Sequence, residues 1–237
     1  MTQRTPIWKA IALSLRSEIA DGQYNAGDKL PTEAALATRF GVNRHTVRHA
    51  ITALADEGLV HARRGAGVFV TSTPTDYPIG RRVRYHENLR AAGHRPAKTI
   101  LMQDTRVAKA AEIEALQLTA DALVHVHEGL SLRENQPIAL FRSVFPAEPL
   151  PALLDHLRND PSITTALEKC GVTDYTRAST RVNAKLATAT QALHLQISEH
   201  APILRTIGVN VSADGTPIEL GHTWFAGDKV TLTLADL

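Results

Sequence analysis

Residues 32–70 read TEAALATRFGVNRHTVRHAITALADEGLVHARRGAGVFV, and their pattern predicts the fold of the N-terminal part of the chain. Its apolar residues recur three and four positions apart on either side of Gly41, which predicts two short amphipathic helices. Thr32 and Asn43 can cap these helices, and Gly41 can end the first of them. Two short helices joined by a tight turn that contains glycine make a helix-turn-helix unit.

The outer face of the second predicted helix indicates what this unit binds. Its first turns carry a set of basic and polar side chains, Arg44, His45, Thr46, Arg48 and His49. A solvated helix face would mix acids with bases, but no acidic residue occurs between positions 43 and 55. In helix-turn-helix proteins the first residues of this helix contact base edges in the major groove, and flanking basic groups contact phosphates. We therefore predict that double-stranded operator DNA is a partner.

A hairpin with a basic tip follows the second helix. Residues 59–62 and 68–70 have strand composition, and the turn RRGAG at 63–67 joins them. Glycines permit a tight turn, and arginines suit phosphates or the minor groove, so this hairpin has the character of a wing. With a further amphipathic helix over 7–19, residues 1–72 are predicted to form a winged helix-turn-helix domain. The predicted DNA contacts are Thr32, Asn43, Arg44, His45, Thr46, Arg48, Arg63, Arg64, Gly65 and Gly67.

The distribution of charge agrees with a separate N-terminal domain. The 237 residues are 43% hydrophobic and 21% charged, an ordinary globular composition for two modest domains. Residues 1–95 contain 14 Lys and Arg against 8 Asp and Glu, whereas the remainder contains 12 against 16. A basic N-terminal part is expected when only one module meets phosphates, although random scatter of surface charge would also produce it.

The sequence also argues against several classes of protein. It contains no apolar run near the roughly 20 residues that a membrane-spanning helix needs. Residues 1–9 lack the apolar core of a secretory leader. The single cysteine, Cys170, excludes an intrachain disulfide framework and fits a reducing compartment. We therefore expect a cytoplasmic protein with no membrane partner.

A second domain is predicted after a linker. Residues 73–80 are rich in Pro and Thr and lack periodicity, which is typical of a linker. In residues 81–237 hairpin patterns dominate, so we predict a mainly antiparallel sheet with helices on one side, and an α+β chain overall. The predicted strands are 99–107, 123–133, 138–145, 177–185, 202–212 and 217–225, and the predicted helices are 110–118, 151–157, 162–170 and 188–195.

One candidate ligand site lies at the start of this second domain. A short helix is expected to begin at His86 or Glu87, and three arginines precede it, at positions 81, 82 and 84. A helix N-terminus presents free N–H groups and the positive end of the helix dipole, which suit an oxyanion. The same arginines could equally belong to the DNA-binding footprint or to a solvated linker.

Strand alternation supplies further candidates. Along 177–185 it puts Arg177 and Arg181 on one face, which either lines a pocket or faces water. Along 217–225 it separates Glu219 from His222, and Glu219 could receive an ammonium group of a ligand. The candidate effector contacts are Arg84, Tyr85, His86, Glu87, Arg142, Arg177, Arg181 and Glu219.

The N-terminal motifs resemble the winged helix of GntR-family transcription regulators. The resemblance is carried by LPTE at 30–33, FGVNRHTVR at 40–48, GL at 58–59 and RRGAGVFV at 63–70. It implies that Arg44, Thr46, Arg48 and the glycine tip of the wing contact DNA. Many relatives have arginine where this chain has Ala34, so one contact that the family would supply is absent here.

The rest of the chain resembles the chorismate-lyase-like effector domain of the HutC branch of that family. This second resemblance is carried by RYHENL at 84–89, GHRP at 93–96, QPIAL at 136–140 and APIL at 201–204. Within the branch, VNRHT at 42–46, DYPI at 76–79 and RASTR at 177–181 are most similar to regulators of phosphonate metabolism. The Arg-x-Arg pattern of sugar-phosphate-sensing members is missing, since Gly129 and Ser131 occupy the matching positions.

The two resemblances together imply a function for each domain. Residues 81–237 are expected to bind a small anionic effector, a phosphonate, phosphate or phosphorylated metabolite, and to join two chains into a homodimer. Such a protein is expected to act as a repressor whose operator binding the effector controls.

Two rival interpretations remain at this point. The resembled effector fold also occurs in a lyase, but the chain contains no P-loop, HExxH or CxxC motif and no acid–base constellation. A regulator that senses another metabolite, such as a sugar phosphate, a histidine-degradation intermediate or a fatty acid, stays open. His125 and His127 share a strand face, but two ligands do not make a metal site. We therefore predict no catalytic residues, no metal and no cofactor.

Overall fold

The structure is a computed structural model that describes residues 6–63, 65–71, 74–80, 96–133 and 135–234. The chain divides into two units, Met1–Thr73 and Pro74–Leu237. The short helix expected at His86 lies outside the described residues. No helix within the described ranges is long and apolar enough to cross a membrane.

The first unit is a three-helix bundle with a two-stranded hairpin. Its elements are α1 (Ile7–Ala20), α2 (Glu33–Phe40), α3 (Arg44–Asp56), β1 (Val60–Arg63) and β2 (Gly67–Val70). The predicted caps are confirmed: Thr32 accepts a hydrogen bond from the Ala35 N–H, and Asn43 accepts one from the Thr46 N–H. Gly41 ends α2 with φ 63°, a left-handed conformation that glycine adopts without strain.

The core of the first unit takes residues from every element. Leu15, Leu36, Val47, Leu54 and Val60 are buried together, with α1 packed against α3. Because the buried positions of α3 repeat every three or four residues, its opposite side is left for solvent.

An ion pair of unequal exposure ties α1 to α2. The Glu18 carboxylate accepts hydrogen bonds from Arg39 Nη1 at 2.9 Å and from Arg39 Nη2 at 2.6 Å. The Glu18 side chain is 9% exposed and the Arg39 side chain 45%. The Arg39 guanidinium lowers the pKa of the Glu18 carboxyl, an effect that burial partly opposes.

The second unit is built on a six-stranded sheet in which all neighbouring strands are antiparallel. Its strands are β4 (Pro96–Val107), β5 (Leu123–Arg133), β6 (Gln136–Pro146), β7 (Tyr175–Leu186), β8 (Pro202–Ser212) and β9 (Pro217–Ala226). Their order in the sheet is β4-β5-β6-β9-β8-β7. Its helices are α4 (Ala110–Leu116), α5 (Leu153–Asn159), α6 (Ile163–Lys169) and α7 (Ala189–Leu195). The predicted α+β class and antiparallel sheet are confirmed.

Helices cover both faces of this sheet, so the prediction of helices on one side is wrong. We call the side that carries Phe141, Ser143 and Phe145 the cavity face and the side that carries Arg142 and Val144 the reverse face. Helices α5 and α6 pack on the cavity face around Phe145, whereas α4 packs on the reverse face around Val144. Helix α7 packs on the reverse face around Leu140. The cause is β6, whose residues are almost all buried, as expected for a strand covered on both sides.

Two further strands form a small parallel pair, β3 (Thr75–Pro78) and β10 (Val230–Thr233). The prediction of a linker over 73–80 therefore differs from the structure, in which Tyr77 is buried beside Ile138 and Phe225. The local composition gave no sign of this, because the partner strand comes from the other end of the chain.

We predict that Arg39→Met weakens the first unit by about 1–2 kcal/mol at pH 7, because Glu18 loses the partner of its buried carboxylate. The loss is smaller than for a fully buried pair, since much of Arg39 is exposed. The Glu18 pKa is lowered in the folded state, so this contribution is complete above the ordinary value of 4.5 and disappears as the pH falls through the lowered one.

Urea denaturation in a Trp224→Phe background, which leaves Trp8 as the reporter of the first unit, measures this change. The matched control is Arg16→Met, because the Arg16–Glu57 pair is 43% exposed on both sides. Equal unfolding free energies for the two variants at pH 7 would contradict the prediction.

Candidate functional site

The exposed side of α3 presents its basic residues to solvent. Arg44, His45, Arg48 and His49 are exposed, while Val47 behind them is fully buried. This arrangement follows from the helical repeat and from the Asn43 cap that starts α3. The first two turns of the helix can therefore enter a DNA groove without disturbing the core.

Glu33 holds one of these arginines in place. Its two carboxylate oxygens accept hydrogen bonds from Arg48 Nε at 2.9 Å and from Arg48 Nη2 at 2.7 Å. These bonds, with the charges of Arg48 and Arg44, keep the pKa of the Glu33 carboxyl below its ordinary value. Glu33 is not among the residues predicted from the sequence, because its link to Arg48 crosses between two helices.

The remaining polar residues near the turn serve mainly as caps. The Asn43 side-chain oxygen accepts from the Thr46 N–H at 2.8 Å and from the Thr46 hydroxyl at 2.9 Å. The Thr32 hydroxyl oxygen accepts from the Ala35 N–H at 3.2 Å and can still donate its own proton. These caps fix the residues at which α2 and α3 begin.

The hairpin after α3 has the geometry predicted for a wing. Arg63 pairs with Gly67, and the Ala66 N–H donates to the Arg63 carbonyl at 3.0 Å. Gly65 and Gly67 have φ values of 76° and 117°, which favour glycine at both places. The Arg63 guanidinium lies 4.6 Å from the Phe69 ring centroid. Arg64 lies outside the described residues.

The second unit contains a cavity of about 330 Å³ on the cavity face of the sheet. A volume of this size suits a small metabolite. Seven serine and threonine side chains contribute hydroxyl groups to its lining: Ser131, Ser143, Ser162, Thr164, Thr165, Thr206 and Thr223. The lining also contains Lys98, Arg177, Glu168 and Glu219, so both signs of charge are present.

A chain of hydrogen bonds crosses the floor of this cavity. The Glu219 carboxylate, which is 6% exposed, accepts from the Ser143 hydroxyl and from the Asn210 amide, each at 2.6 Å. The Asn210 amide oxygen in turn accepts from Arg177 Nε at 2.7 Å. We call these four residues the cavity relay. It joins β6, β9, β8 and β7 and connects a buried carboxylate to a guanidinium.

The position of Arg177 depends on a glycine of the neighbouring strand and on a β-bulge in its own strand. A Cβ atom on Gly208 would lie 1.9 Å from Arg177 Nη1, so the absence of a side chain there leaves room for the guanidinium. The pairing register of β7 and β8 shifts between Arg177 and Ser179, which makes Ala178 an extra residue on β7.

Lys98 adds a second cation to the cavity. Its Nζ donates to the Pro161 carbonyl at 2.9 Å and lies 5.0 Å from the Phe141 ring centroid. Burial lowers the pKa of Lys98 to about 8, although the Glu219 and Asp160 carboxylates act in the opposite direction. Lys98 therefore carries its charge at neutral pH and can lose it more easily than an exposed lysine.

The predicted effector residues are divided by the sheet. Arg177 and Glu219 line the cavity, and His222 points away from Glu219 as predicted. Arg142 lies on the reverse face and donates to Glu128 Oε2 at 2.6 Å. The expectation that Arg181 faces the same way as Arg177 is wrong, because the bulge at Ala178 reverses the alternation and pairs Arg181 with Ile207 of the reverse face. The candidates Arg84, Tyr85, His86 and Glu87 lie outside the described residues.

Each of the two histidines considered as metal ligands contacts polar groups of the protein. His125 Nε2 lies 3.2 Å from the Leu150 carbonyl and its Nδ1 lies 2.8 Å from the Thr105 hydroxyl. His127 Nδ1 lies 3.2 Å from the Gln103 amide nitrogen. Within the described residues, no group of three or more His, Cys, Asp and Glu residues could hold a metal ion.

Some cavity residues had a signal in the sequence and others had none. In 202–212 the polar or small residues Thr206, Gly208 and Asn210 alternate with apolar ones, so period-two analysis of this strand would have placed them on one face. Lys98 had no such signal, because a single lysine in a strand ordinarily faces water.

These two sites define a class of protein: a winged helix-turn-helix that binds DNA, followed by a unit that binds a small molecule. Residues 8–70 match the gntR family of bacterial regulatory proteins, and residues 91–231 match the UTRA domain. The chain belongs to the gntR family and carries a UTRA domain, so it is a transcription regulator whose partners are DNA and a small ligand.

Similar proteins agree with this assignment over nearly the full length. An uncharacterized HTH-type transcriptional regulator of Rhizobium meliloti (strain 1021), RB1450, is 35% identical over 96% of this chain and 94% of its own length. The probable transcriptional regulator PhnF of Escherichia coli (strain K12) is 30% identical over 96% of this chain and 94% of its own. The same organism has MngR, the repressor of a mannosyl-D-glycerate transport and metabolism system. MngR is 27% identical over 97% of this chain and 95% of its own length. All three are named as regulators or repressors, and the chain is a regulator rather than an enzyme.

A solved structure has the same fold. The crystal structure of PhnF from Mycobacterium smegmatis matches with a TM-score of 0.66 and 24% identity, covering 96% of this chain and 99% of that one. At this identity the likeness supports the fold alone.

Proposed function

We propose that the chain is a repressor whose hold on its operator is controlled by a small anionic effector bound in the cavity. The observation that carries the proposal is the cavity relay, whose Arg177 lines a cavity of metabolite size together with the nearby Lys98. MngR is named a repressor, which supports repression rather than activation for this chain.

The charges of the cavity suit a phosphonate or phosphate. A doubly charged oxyanion needs several donors and a compensating cation. Arg177 offers a planar fork of donors and Lys98 a compact charge, while the hydroxyls of the wall add neutral donors. Glu219 would receive an ammonium group if the effector carries one. The sequence resemblance to regulators of phosphonate metabolism points the same way.

A hydroxylated sugar derivative is the second candidate. The seven serine and threonine hydroxyls of the lining can bind the hydroxyl groups of a sugar. MngR is named for a system that handles mannosyl-D-glycerate, which contains a sugar. The missing Arg-x-Arg pattern at Gly129 and Ser131 argues against the sugar-phosphate mode of the family.

The cavity wall suggests how a ligand could affect the DNA-binding unit. Tyr77 and Ile79 line the cavity and lie in the segment with which the second unit begins. A ligand that contacts them would bias the conformation of the chain that leads out of the first unit. It can change operator affinity only if it binds one conformation better than the other.

We further propose roles for the exposed residues of the winged helix. Arg44 reads a base edge, while Arg48, positioned by Glu33, holds the phosphate backbone together with Arg63 and Arg64 of the wing. Supporting contacts are proposed from Thr32, Asn43, His45, Thr46, Gly65 and Gly67.

The active form is proposed to be a homodimer. One winged helix makes few base contacts, so useful specificity calls for two on an inverted repeat with half-sites about one helical turn apart. Strand β7 is an edge of the sheet, and its last residues are exposed on both faces, including Val182 at 45% and Leu186 at 64%. Edge strands of this kind pair readily with a second chain.

Replacing Arg44 by Ala is predicted to cost about 1–3 kcal/mol of operator binding and to relax the sequence preference, because a base contact is lost. Arg64→Ala is predicted to weaken binding to all sequences more evenly and to reduce the salt dependence. Anisotropy titrations on an operator selected from random DNA measure both effects, with Arg158→Ala in the second unit as the control. Unchanged affinity and preference for Arg44→Ala would show that α3 is not the recognition helix.

Replacing Arg177 by Gln is predicted to abolish the effector's influence on operator binding while leaving ligand-free operator affinity unchanged. Gly208→Ala should have the same effect, since it displaces the Arg177 guanidinium without removing it. The matched control is Arg181→Gln, four positions along the same strand but on the reverse face. A thermal-shift panel of phosphate, phosphonates and sugar phosphates identifies the effector, because a ligand at 100 times its Kd adds about 2.7 kcal/mol of stability. Equal effector responses of Arg177→Gln and wild type would locate the site elsewhere.

Val182→Lys combined with Leu186→Lys is predicted to shift the protein from dimer to monomer, because charged side chains on an edge strand oppose pairing. Sedimentation velocity measures the change. Leu193→Lys, at a leucine that is 77% exposed on α7, is the control. A wild-type chain that sediments as a monomer, free and on operator, would rule out the dimer.

A further inference from the structure

A row of mainly polar side chains crosses the reverse face of the sheet. Glu128, Arg142, His222, Ile207 and Arg181 are successive pairing partners on β5, β6, β9, β8 and β7. Directly paired residues point to the same side of a sheet, so these side chains share the reverse face. Arg205 lies two residues from Ile207 and reaches the row, with its Nη2 atom 3.4 Å from His222 Nδ1.

Two helices enclose the middle of this row. Along β6, Arg142 lies between Val144, which α4 covers, and Leu140, which α7 covers. Along β9, His222 lies between Leu220 and Trp224, which pack in the same two clusters. Arg142, Arg205 and His222 therefore lie on the strip of the reverse face between α4 and α7, which we call the cleft. None of them belongs to the cavity.

The charge of the cleft is not balanced by the described residues. Arg142 donates to Glu128, but no described carboxylate pairs with Arg205. Arg205 Nε is buried and has no acceptor among the described residues. A buried guanidinium N–H without an acceptor costs free energy, which a bound acceptor would recover.

His222 is arranged as a donor toward the same cleft. Because its Nδ1 accepts from Arg205, the imidazole proton is on Nε2. Burial and the charges of Arg205 and Arg142 lower the pKa of His222, and the Glu112 carboxylate of α4 only partly opposes them. The Glu112 carboxylate itself accepts hydrogen bonds from both Nη groups of Arg106 and from the Lys109 N–H. Its negative charge is therefore already balanced by Arg106. The neutral imidazole and two guanidiniums thus form a set of donors with a surplus of positive charge.

We propose that this cleft is a second anion site, separate from the cavity, in which Arg205, Arg142 and His222 bind a small oxyanion. The occupant is a phosphate or carboxylate group of a small molecule rather than an acidic protein surface, because α4 and α7 flank the donors on both sides. Such a site would let a second anion stabilise the strands β6, β8 and β9 that also carry the cavity relay.

Trp224 provides a local reporter, since its ring lies 6.0 Å from that of His222 and nearly parallel to it. In a Trp8→Phe background, inorganic phosphate and acetate are titrated separately at constant ionic strength, with chloride as the reference. We expect a saturable change of Trp224 fluorescence with at least one of the two. Saturation by phosphate alone assigns a phosphate group, and saturation by acetate alone a carboxylate.

Variants locate the response. Arg205→Gln is expected to weaken it at least tenfold, and Arg142→Gln provides a second reading if Arg205→Gln does not fold by far-UV circular dichroism. Lys169→Gln on α6 should leave it within twofold of wild type, whereas loss of the response in Arg177→Gln would place the anion in the cavity and overturn the proposal. The proposal is overturned if neither anion gives a saturable change, or if the folded reverse-face variants respond as wild type does. It is also overturned if Arg205→Gln instead converts a dimer to a monomer with the anion response intact, which would make the row a protein interface.

Discussion

A carboxylate buried at the centre of the six-stranded sheet constrains the second unit. Glu219 is almost fully enclosed, and a buried charge is tolerated only when hydrogen-bond donors and a compensating cation surround it. Ser143, Asn210 and, through Asn210, Arg177 supply these from three other strands. The registers of β6, β7, β8 and β9 are thereby tied together at one place. The same groups form the floor of the cavity, so the interaction that orders the sheet also gives the cavity its charge.

The alternation of the strands then divides the functions of the unit between two faces. From Glu219 onward along β9, residues an even number of positions from Glu219 face the cavity. Residues an odd number of positions from it face α4 and α7. The bulge at Ala178 decides which arginine of β7 belongs to which face. Gly208 is needed for a different reason, since any side chain there would occupy the space of the Arg177 guanidinium. In the first unit the helical repeat of α3 separates two faces. One side of the helix packs in the core and the other side carries the basic residues.

Much of this architecture could be predicted from the sequence, and the failures have physical causes. The caps at Thr32 and Asn43 and the turn at Gly41 are local features, so local sequence was sufficient to find them. The bulge at Ala178 was not predictable, because neither glycine nor proline marks it and its effect appears only in the pairing with β8. The relay partners Ser143 and Glu219 are 76 residues apart, and nothing in either strand alone links them. The helices on both faces could have been inferred, since residues 138–141 of β6 form a continuous apolar run rather than an alternating one.

Hydrogen–deuterium exchange of the full chain, with and without the effector found in the ligand panel, tests whether the effector is held at the cavity relay. We expect slower exchange on ligand binding in 206–210 of β8, in 219–223 of β9 and in 162–165 at the start of α6, because these backbone segments form the cavity wall. Protection confined to α4 and α7, or to the winged helix, with these segments unchanged, would contradict it.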